Sequence, residues 1–331
     1  MKPKLRSFTT LLSIVLLTSS LSTVTAKPFK MTLGGGEGTA QYSLASKFIE
    51  EFEKNTKNTV RLFPNSQLGS EQNTVIEASM GTLDFSVVAI NNITPFSPTV
   101  GVYTLPYMIT SLEEAEKLIQ SDATDVIVAN TVRDAGVRII SWTFSGFRVL
   151  TNSKKPIKTL DDLDGLVVRV PKNKIMIDTY KAWGINPTPM AWSELFTALQ
   201  QKVVDGQDLP LVDIASLKFY EIQKYISLIH YNFMLEPMIV SEEVFQKQSK
   251  SVQAAIIEAG KVATAHSAKL LKEQEAEALK KLKAHGMEIN EVDEAQWIKK
   301  ASTQVWPKYY ESVGGKDKIN IVLKSIGREE I

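Results

Sequence analysis

Cysteine is missing from the whole 331-residue chain, so neither a disulfide framework nor thiolate chemistry is open to it. A chain of this length must then be held by its apolar core, and it is long enough to divide that core between two lobes. Histidine is scarce: His230, His266 and His285 are the only three. They form no metal set, and neither a His-x-x-x-His pair nor a Gly-x-Ser-x-Gly elbow occurs. No metal and no cofactor is expected. Excess charge of either sign is lacking too, with 38 basic against 37 acidic residues. Nucleic acid and anionic lipid both need a strong basic field, so neither is expected as a partner. Any anion must be held by a few placed residues.

The chain starts with a secretory pattern. Lys2, Lys4 and Arg6 form a basic start, Leu11 to Leu17 a short apolar run, and Val24-Thr25-Ala26 a small-residue cleavage site. Residues 1–26 are therefore expected to be a cleaved signal peptide, and the mature protein to begin near Lys27. The apolar run is too short to span a bilayer, and no later segment reaches the required length. The mature chain is expected to be exported and not embedded in the membrane.

Strands and helices alternate along the chain. Phe29 to Leu33 reads as a strand that runs into Gly34-Gly35-Gly36-Glu37-Gly38, and a helical pattern follows through Leu44, Phe48 and Phe52. Thr59 to Phe63 and Phe85 to Ala89 are further strands, with a helix between them that Ser70 caps and Gly81 ends. Ile139 to Trp142 and Arg148 to Asn152 come next, then a Thr159-x-x-Asp162 capping box and a strand over Leu166 to Val170. A helix over Ile175 to Trp183 stops at Gly184, Pro187 to Met190 is extended, and Ser193 is placed to cap another helix. Tyr225 to Ile229 and Met238 to Val240 are the last strands, before a long amphipathic helix from Val252 to Ala284. Such alternation predicts an α/β fold with a mostly parallel sheet, whose ligands sit at the carboxyl ends of its strands.

That rule draws attention to Asn91-Asn92 after the third strand and to two arginines, Arg148 and Arg169, each beside a predicted strand. The Lys-Lys-Pro turn between them allows the two strands to lie side by side. A guanidinium presents a planar fork of donors that matches a carboxylate. Taken on spacing alone, a structural or surface ion pair is the commoner fate of such an arginine, and a core position that of Trp192.

The motifs Phe63-Pro64-Asn65-Ser66-Gln67-Leu68-Gly69, Gly81-Thr82-Leu83-Asp84 and Leu105-Pro106-Tyr107 lead to a run from Lys155-Pro156 to Gly165-Leu166-Val167-Val168-Arg169-Val170-Pro171. Pro187-Thr188-Pro189-Met190 and Val204-Asp205-Gly206-Gln207 follow. In this order the chain resembles the substrate-binding proteins of tripartite ATP-independent periplasmic (TRAP) transporters. The resemblance implies a periplasmic binding protein-like fold: two α/β lobes, a hinge and a long C-terminal helix spanning both. Lobe I is expected over 27–145 and 235–275, lobe II over 146–234 and 276–331.

The resemblance also implies a periplasmic receptor, not an enzyme, that captures a small organic acid anion and delivers it to a TRAP-type permease. It is expected to act as a monomer. A sugar acid is the expected ligand, with a C4-dicarboxylate or 2-keto acid as the alternative. In the family the arginine of the Arg-Val-Pro segment holds the carboxylate, which here is Arg169. Arg148 matches a second arginine, Trp192 an aromatic that packs on the ligand, and Asn91, Asn92 and Glu37 face it from the first lobe. Leu209 stands where an asparagine often contacts the ligand, Lys172 where a neutral polar residue is common, and Gln207 and Tyr231 complete the candidate set.

Overall fold

The computed structural model describes residues 27–331, so the secretory pattern lies outside the described residues. Alternating apolar residues make β1 (Phe29–Leu33), and beyond the glycine turn the Thr39 hydroxyl caps α1 (Ala40–Asn55) by accepting from the Tyr42 amide. β2 (Val60–Phe63) and the Ser70-capped α2 (Glu71–Ser79) follow. β3 (Phe85–Val87) ends two residues before the expected Ala89, whose amide donates to the Glu71 carboxylate at 2.9 Å instead of to a strand. After short 3-10 turns over 90–92 and 98–104, α3 (Leu112–Ile119) and α4 (Asp122–Ala135) lead into β4 (Val137–Asn152). The sequence pattern suggested two strands here. They are one, with register shifts after Ile139 and Phe144 that bend it.

The second half runs β5 (Val168–Val170), α5 (Lys174–Trp183), β6 (Thr188–Pro189) and α6 (Trp192–Gln200). α6 starts at Trp192, so Ser193 lies inside its first turn and does not cap it. Then come β7 (Gly206–Pro210), α7 (Leu211–Ser216), β8 (Tyr225–Leu228) and β9 (Phe233–Ser241). α8 (Glu242–Lys247), the 35-residue α9 (Lys250–Ala284), β10 (Glu288–Glu291), α10 (Ala295–Lys300), α11 (Trp306–Tyr309) and α12 (Lys316–Ser325) complete the chain.

The strand order is β2-β1-β3-β9-β4-β7-β5-β6, with β8 against the end of β4 and β10 beyond it. The outer strands pair in parallel on both sides, but β4 and β9 are antiparallel to each other and to their neighbours. The sheet is therefore mixed, not mostly parallel. The chain crosses from one half to the other on β4 and returns on β9, and opposite directions of crossing force that pairing. Residues up to Phe147 of β4 pair with β9, whereas Arg148 to Asn152 pair with β7 and β8. The two halves meet at this point.

Each half has its own aromatic core: Phe48, Phe52 and Phe85 under β1 and β3, and Tyr180, Trp183 and Trp297 beside β5. α9 binds the halves together, packing on α1, β4 and α7. Its approach to β4 needs glycine, since a Cβ at Gly260 would lie 2.1 Å from the Ile140 carbonyl oxygen. Ser141 Oγ donates to the Gly260 carbonyl at 2.8 Å across this contact. α12 packs on α3 and α4 and so returns the C-terminus to the first half. Among the described residues no helix is long and apolar enough to cross a membrane.

Candidate ligand-binding site

Where the halves meet, the strand ends enclose a cavity of about 350 Å³. The first half contributes Gln41, Glu71, Asn91 and Asn92; the second contributes Arg148, Arg169, Trp192 and Asp213, with Glu236 coming from β9. Such a volume suits a small organic molecule.

Arg169 stands in β5 and is only 2 % exposed. Its Nε and Nη2 donate to the Met190 carbonyl at 3.1 and 2.9 Å, and among the described residues Nη1 has no partner. Burial, and then the nearby charge of Arg148, lower its pKa to about 10. This is a cation with donors to offer and no carboxylate bonded to it. At so buried a position a ligand carboxylate would satisfy both needs at once.

Arg148 is arranged differently. Its Nη2 donates to the Asp208 carbonyl at 2.6 Å and to the Asp208 carboxylate at 3.2 Å, and Nη1 points to the Met234 sulfur at 3.0 Å. Burial opposes its charge, but Asp208 and then Tyr231 outweigh that cost and raise its pKa. Arg148 lines the cavity, yet its charge is already neutralised by Asp208, itself fixed by the Tyr231 hydroxyl. The strands of the two arginines are not adjacent, because β7 runs between them.

The opposite wall is acidic. Gln41 organises it: its amide oxygen accepts from Gly34 and Gly35 at 3.0 Å each, and its amide nitrogen donates to Glu71 at 2.9 Å and to Glu236 at 2.8 Å. Burial raises the pKa of Glu71, and burial together with Asp213 raises that of Glu236 well above the ordinary carboxylate range. Asp213 is pushed up to about 7 by burial, and its Oδ2 has no hydrogen-bond partner.

Bonds across the cleft hold it shut. Trp192 Nε1 donates to the Gly34 carbonyl at 3.0 Å, Asn173 to the Asn91 carbonyl at 2.9 Å, and Gln72 to the Lys172 carbonyl at 2.9 Å. Only glycine fits at position 34, where a Cβ would meet Glu71 Oε1 at 2.7 Å and the Trp192 ring at 3.1 Å. The indole also stacks on Phe219 with ring centroids 6.0 Å apart. Trp192 is thus a cavity wall and a clasp together.

Of the residues singled out in the sequence, Arg148, Arg169, Trp192, Asn91, Asn92, Lys172 and Leu209 line the cavity. Lys172 sits at its mouth, half-exposed and 3.5 Å from Glu194. Three others do not line it. Glu37 is exposed because the Gly36 and Gly38 turn carries it to the tip of its loop. Gln207 is buried with its amide nitrogen donating to Thr151 Oγ1 at 2.9 Å, which holds the side chain within the sheet, while its Oε1 has no partner among the described residues. Tyr231 lies in the core of the second half, 5.1 Å from Trp183 between centroids, and acts on the cavity only through Asp208. Sequence reasoning missed Gln41, Glu71, Asp213 and Glu236. A carboxylate inside the apolar run Phe233–Ser241, buried throughout, was the one available signal.

Comparison with known proteins agrees with this architecture. A family model described as bacterial extracellular solute-binding protein, family 7, matches residues 32–312. The 2,3-diketo-L-gulonate-binding periplasmic protein of Escherichia coli is 29% identical over 289 residues, covering 86% of this chain and 88% of that one. A TRAP periplasmic solute-binding protein of Roseobacter denitrificans, solved with bound L-galactonate, is 30% identical with a TM-score of 0.81, covering 90% of this chain and 98% of that one. Another from Polaromonas, bound to D-erythronate, is 30% identical with a TM-score of 0.85, covering 92% and 99%. With a family match over most of its length and the two-lobed architecture of these structures, the chain belongs to the bacterial extracellular solute-binding proteins of family 7, of the TRAP type.

Proposed function

We propose that this protein is a periplasmic receptor that captures a sugar acid and hands it to a TRAP-type membrane permease. The observation that carries the reading is Arg169: a buried guanidinium with an unpartnered end, lining the cavity where the halves meet and bonded to no carboxylate. Two charge-assisted bonds to one ligand carboxylate contribute about 1.5–3 kcal/mol each. The hydroxyls of a sugar acid then meet Glu71, Asn92 and Asp213 on the far wall, and Trp192 closes over the carbon chain. The ligands of the Roseobacter and Polaromonas relatives support this class.

Capture proceeds by closure of two lobes, 27–145 with 235–275 and 146–234 with 276–331, although α12 rests on the first of these. Residues 1–26 direct export and are removed, and the mature protein works as a monomer without catalysis. A thermal-shift screen with D-galactonate, L-galactonate, D-erythronate, D-glucuronate, succinate, malate and pyruvate tests the assignment. A ligand at a hundred times its Kd stabilises by about 2.7 kcal/mol, which is readily seen. One or more sugar acids should raise Tm in this way; a response to succinate or pyruvate alone, or to none of the seven, contradicts the reading.

A further inference from the structure

The charges around the cavity are out of balance for an anion receptor. Asp208 neutralises Arg148, which leaves Arg169 as the one free cation deep in the cavity among the described residues. Glu71, Asp213 and Glu236 face it. If all three were ionised, one positive charge would stand against three negative ones, and a second anion would be repelled. Some of these carboxyls must therefore hold protons when an acid anion binds.

The hydrogen bonds locate the proton. Glu71 receives the Ala89 amide, the Asn92 amide and Gln41, which is the environment of a carboxylate. Glu236 accepts from Gln41 and from the Ser145 hydroxyl. That hydroxyl has a single hydrogen, given to Glu236, and among the described residues no group is hydrogen-bonded to the Asp213 carboxyl, so its buried ionised form has few donors to stabilise it. Asp213 is 6 % exposed, Glu236 is 2 %, and Asp213 Oδ2 has no partner. Two buried carboxyls lining one cavity repel each other's charge and so ionise one at a time. The charged and polar groups facing them are Arg148 and Ser145 from β4, Glu71 from α2, Gln41 from α1 and, farther off, Arg169 from β5.

We propose that Asp213 and Glu236 form the specificity end of the cavity: they share a proton, bond the hydroxyls of a monocarboxylate held by Arg169, and exclude any ligand with a second carboxylate. This rests on the sugar-acid reading and narrows it to monoanions. Binding is then linked to proton uptake, because a ligand carboxylate nearby favours the protonated pair. Affinity should be higher below neutral pH than above it.

Galactonate and galactarate separate the possibilities, since they share the six-carbon chain and its internal hydroxyls and differ only at C6, a hydroxymethyl group in one and a second carboxylate in the other. Calorimetric titration of the wild type should give at least about 30-fold tighter binding of D-galactonate than of galactarate, in keeping with a charge left unpaired in a buried site. Galactonate should bind about three- to tenfold more weakly at pH 8 than at pH 6, with a proton taken up in buffers of differing ionisation heat. Asp213→Asn mimics the neutral acid, so it should flatten the pH dependence and narrow the discrimination; Glu236→Gln should narrow it as well. Equal binding of the two acids, or a pH-independent affinity of the wild type, overturns the proposal while leaving a sugar-acid receptor intact. Discrimination unchanged in both variants overturns it equally. Should another sugar acid of the thermal-shift screen be the one bound, it and its dicarboxylate counterpart take the place of this pair; failure of the wild type to bind any sugar acid at either pH would overturn the sugar-acid reading, and this proposal with it.

Discussion

Replacing Arg169 by methionine keeps the length of the side chain and removes its charge and donors. In the ligand-free protein the guanidinium bonds only to the Met190 carbonyl, and burial and Arg148 make its charged form less favourable there than in water, although it stays protonated at neutral pH. Arg169→Met relieves that cost and orphans one carbonyl, worth about 1–3 kcal/mol in the opposite direction. The two effects offset, so the ligand-free Tm should move by no more than about 4 °C. Ligand binding should respond quite differently. Removing one partner of a buried charged pair costs about 2–5 kcal/mol, which at 1.4 kcal/mol per decade is a loss of about 30-fold to a few thousandfold in affinity for D-galactonate. Calorimetry and differential scanning fluorimetry on the same preparations read both quantities. A large fall in ligand-free Tm with affinity retained would show that Arg169 is a structural residue and would refute the reasoning.

Trp192→Phe keeps an aromatic wall but loses the bond to the Gly34 carbonyl, so affinity should weaken by about fivefold, mostly through faster release in stopped-flow dissociation. An unchanged release rate would show that this clasp does not hold the cleft. Tyr231→Phe leaves the buried Asp208 carboxylate short of a donor, at a cost of about 1–3 kcal/mol. A Tm lower by about 3 to 10 °C is expected, and no change would mean that the hydroxyl is dispensable. His230 has its pKa raised above 6.5 by its hydrogen bond to Glu294. Stability from a raised base is fully present below its unfolded pKa and is lost as pH rises through the folded one. His230→Gln should therefore be most destabilising near pH 5–6 and least so above about pH 8, as read by urea unfolding; a deficit that grows with pH contradicts the pairing.

How much of this was legible in the sequence differs from one residue to the next. The helix start at Ser70 and the stop at Gly184 follow from local chemistry, because a capping hydroxyl or a left-handed glycine acts within a few residues. The mixed sheet was not legible. The direction in which β4 and β9 cross between halves depends on the whole topology, and their apolar residues read alike in either direction. Spacing alone leaves Arg169 open to a structural ion pair and Trp192 to a core position, and only the resemblance sets them apart. Arg148 has the same appearance as Arg169, yet its partner Asp208 lies 60 positions away, and only the β4–β7 pairing reveals that its charge is taken. Glu71 looks like an ordinary acid in the first turn of a helix, and Asp213 like another. Their convergence on one cavity is tertiary information, carried by neither local pattern.

Ligand capture by this protein turns on where an acid group comes to rest in the cavity. A crystal structure of the mature protein grown with D-galactonate should show the ligand carboxylate within hydrogen-bonding distance of the Arg169 guanidinium and the hydroxyls turned to Glu71, Asp213 and Glu236. A carboxylate found instead beside Lys172 at the mouth, or a cavity left without ligand at saturating concentration, would contradict it.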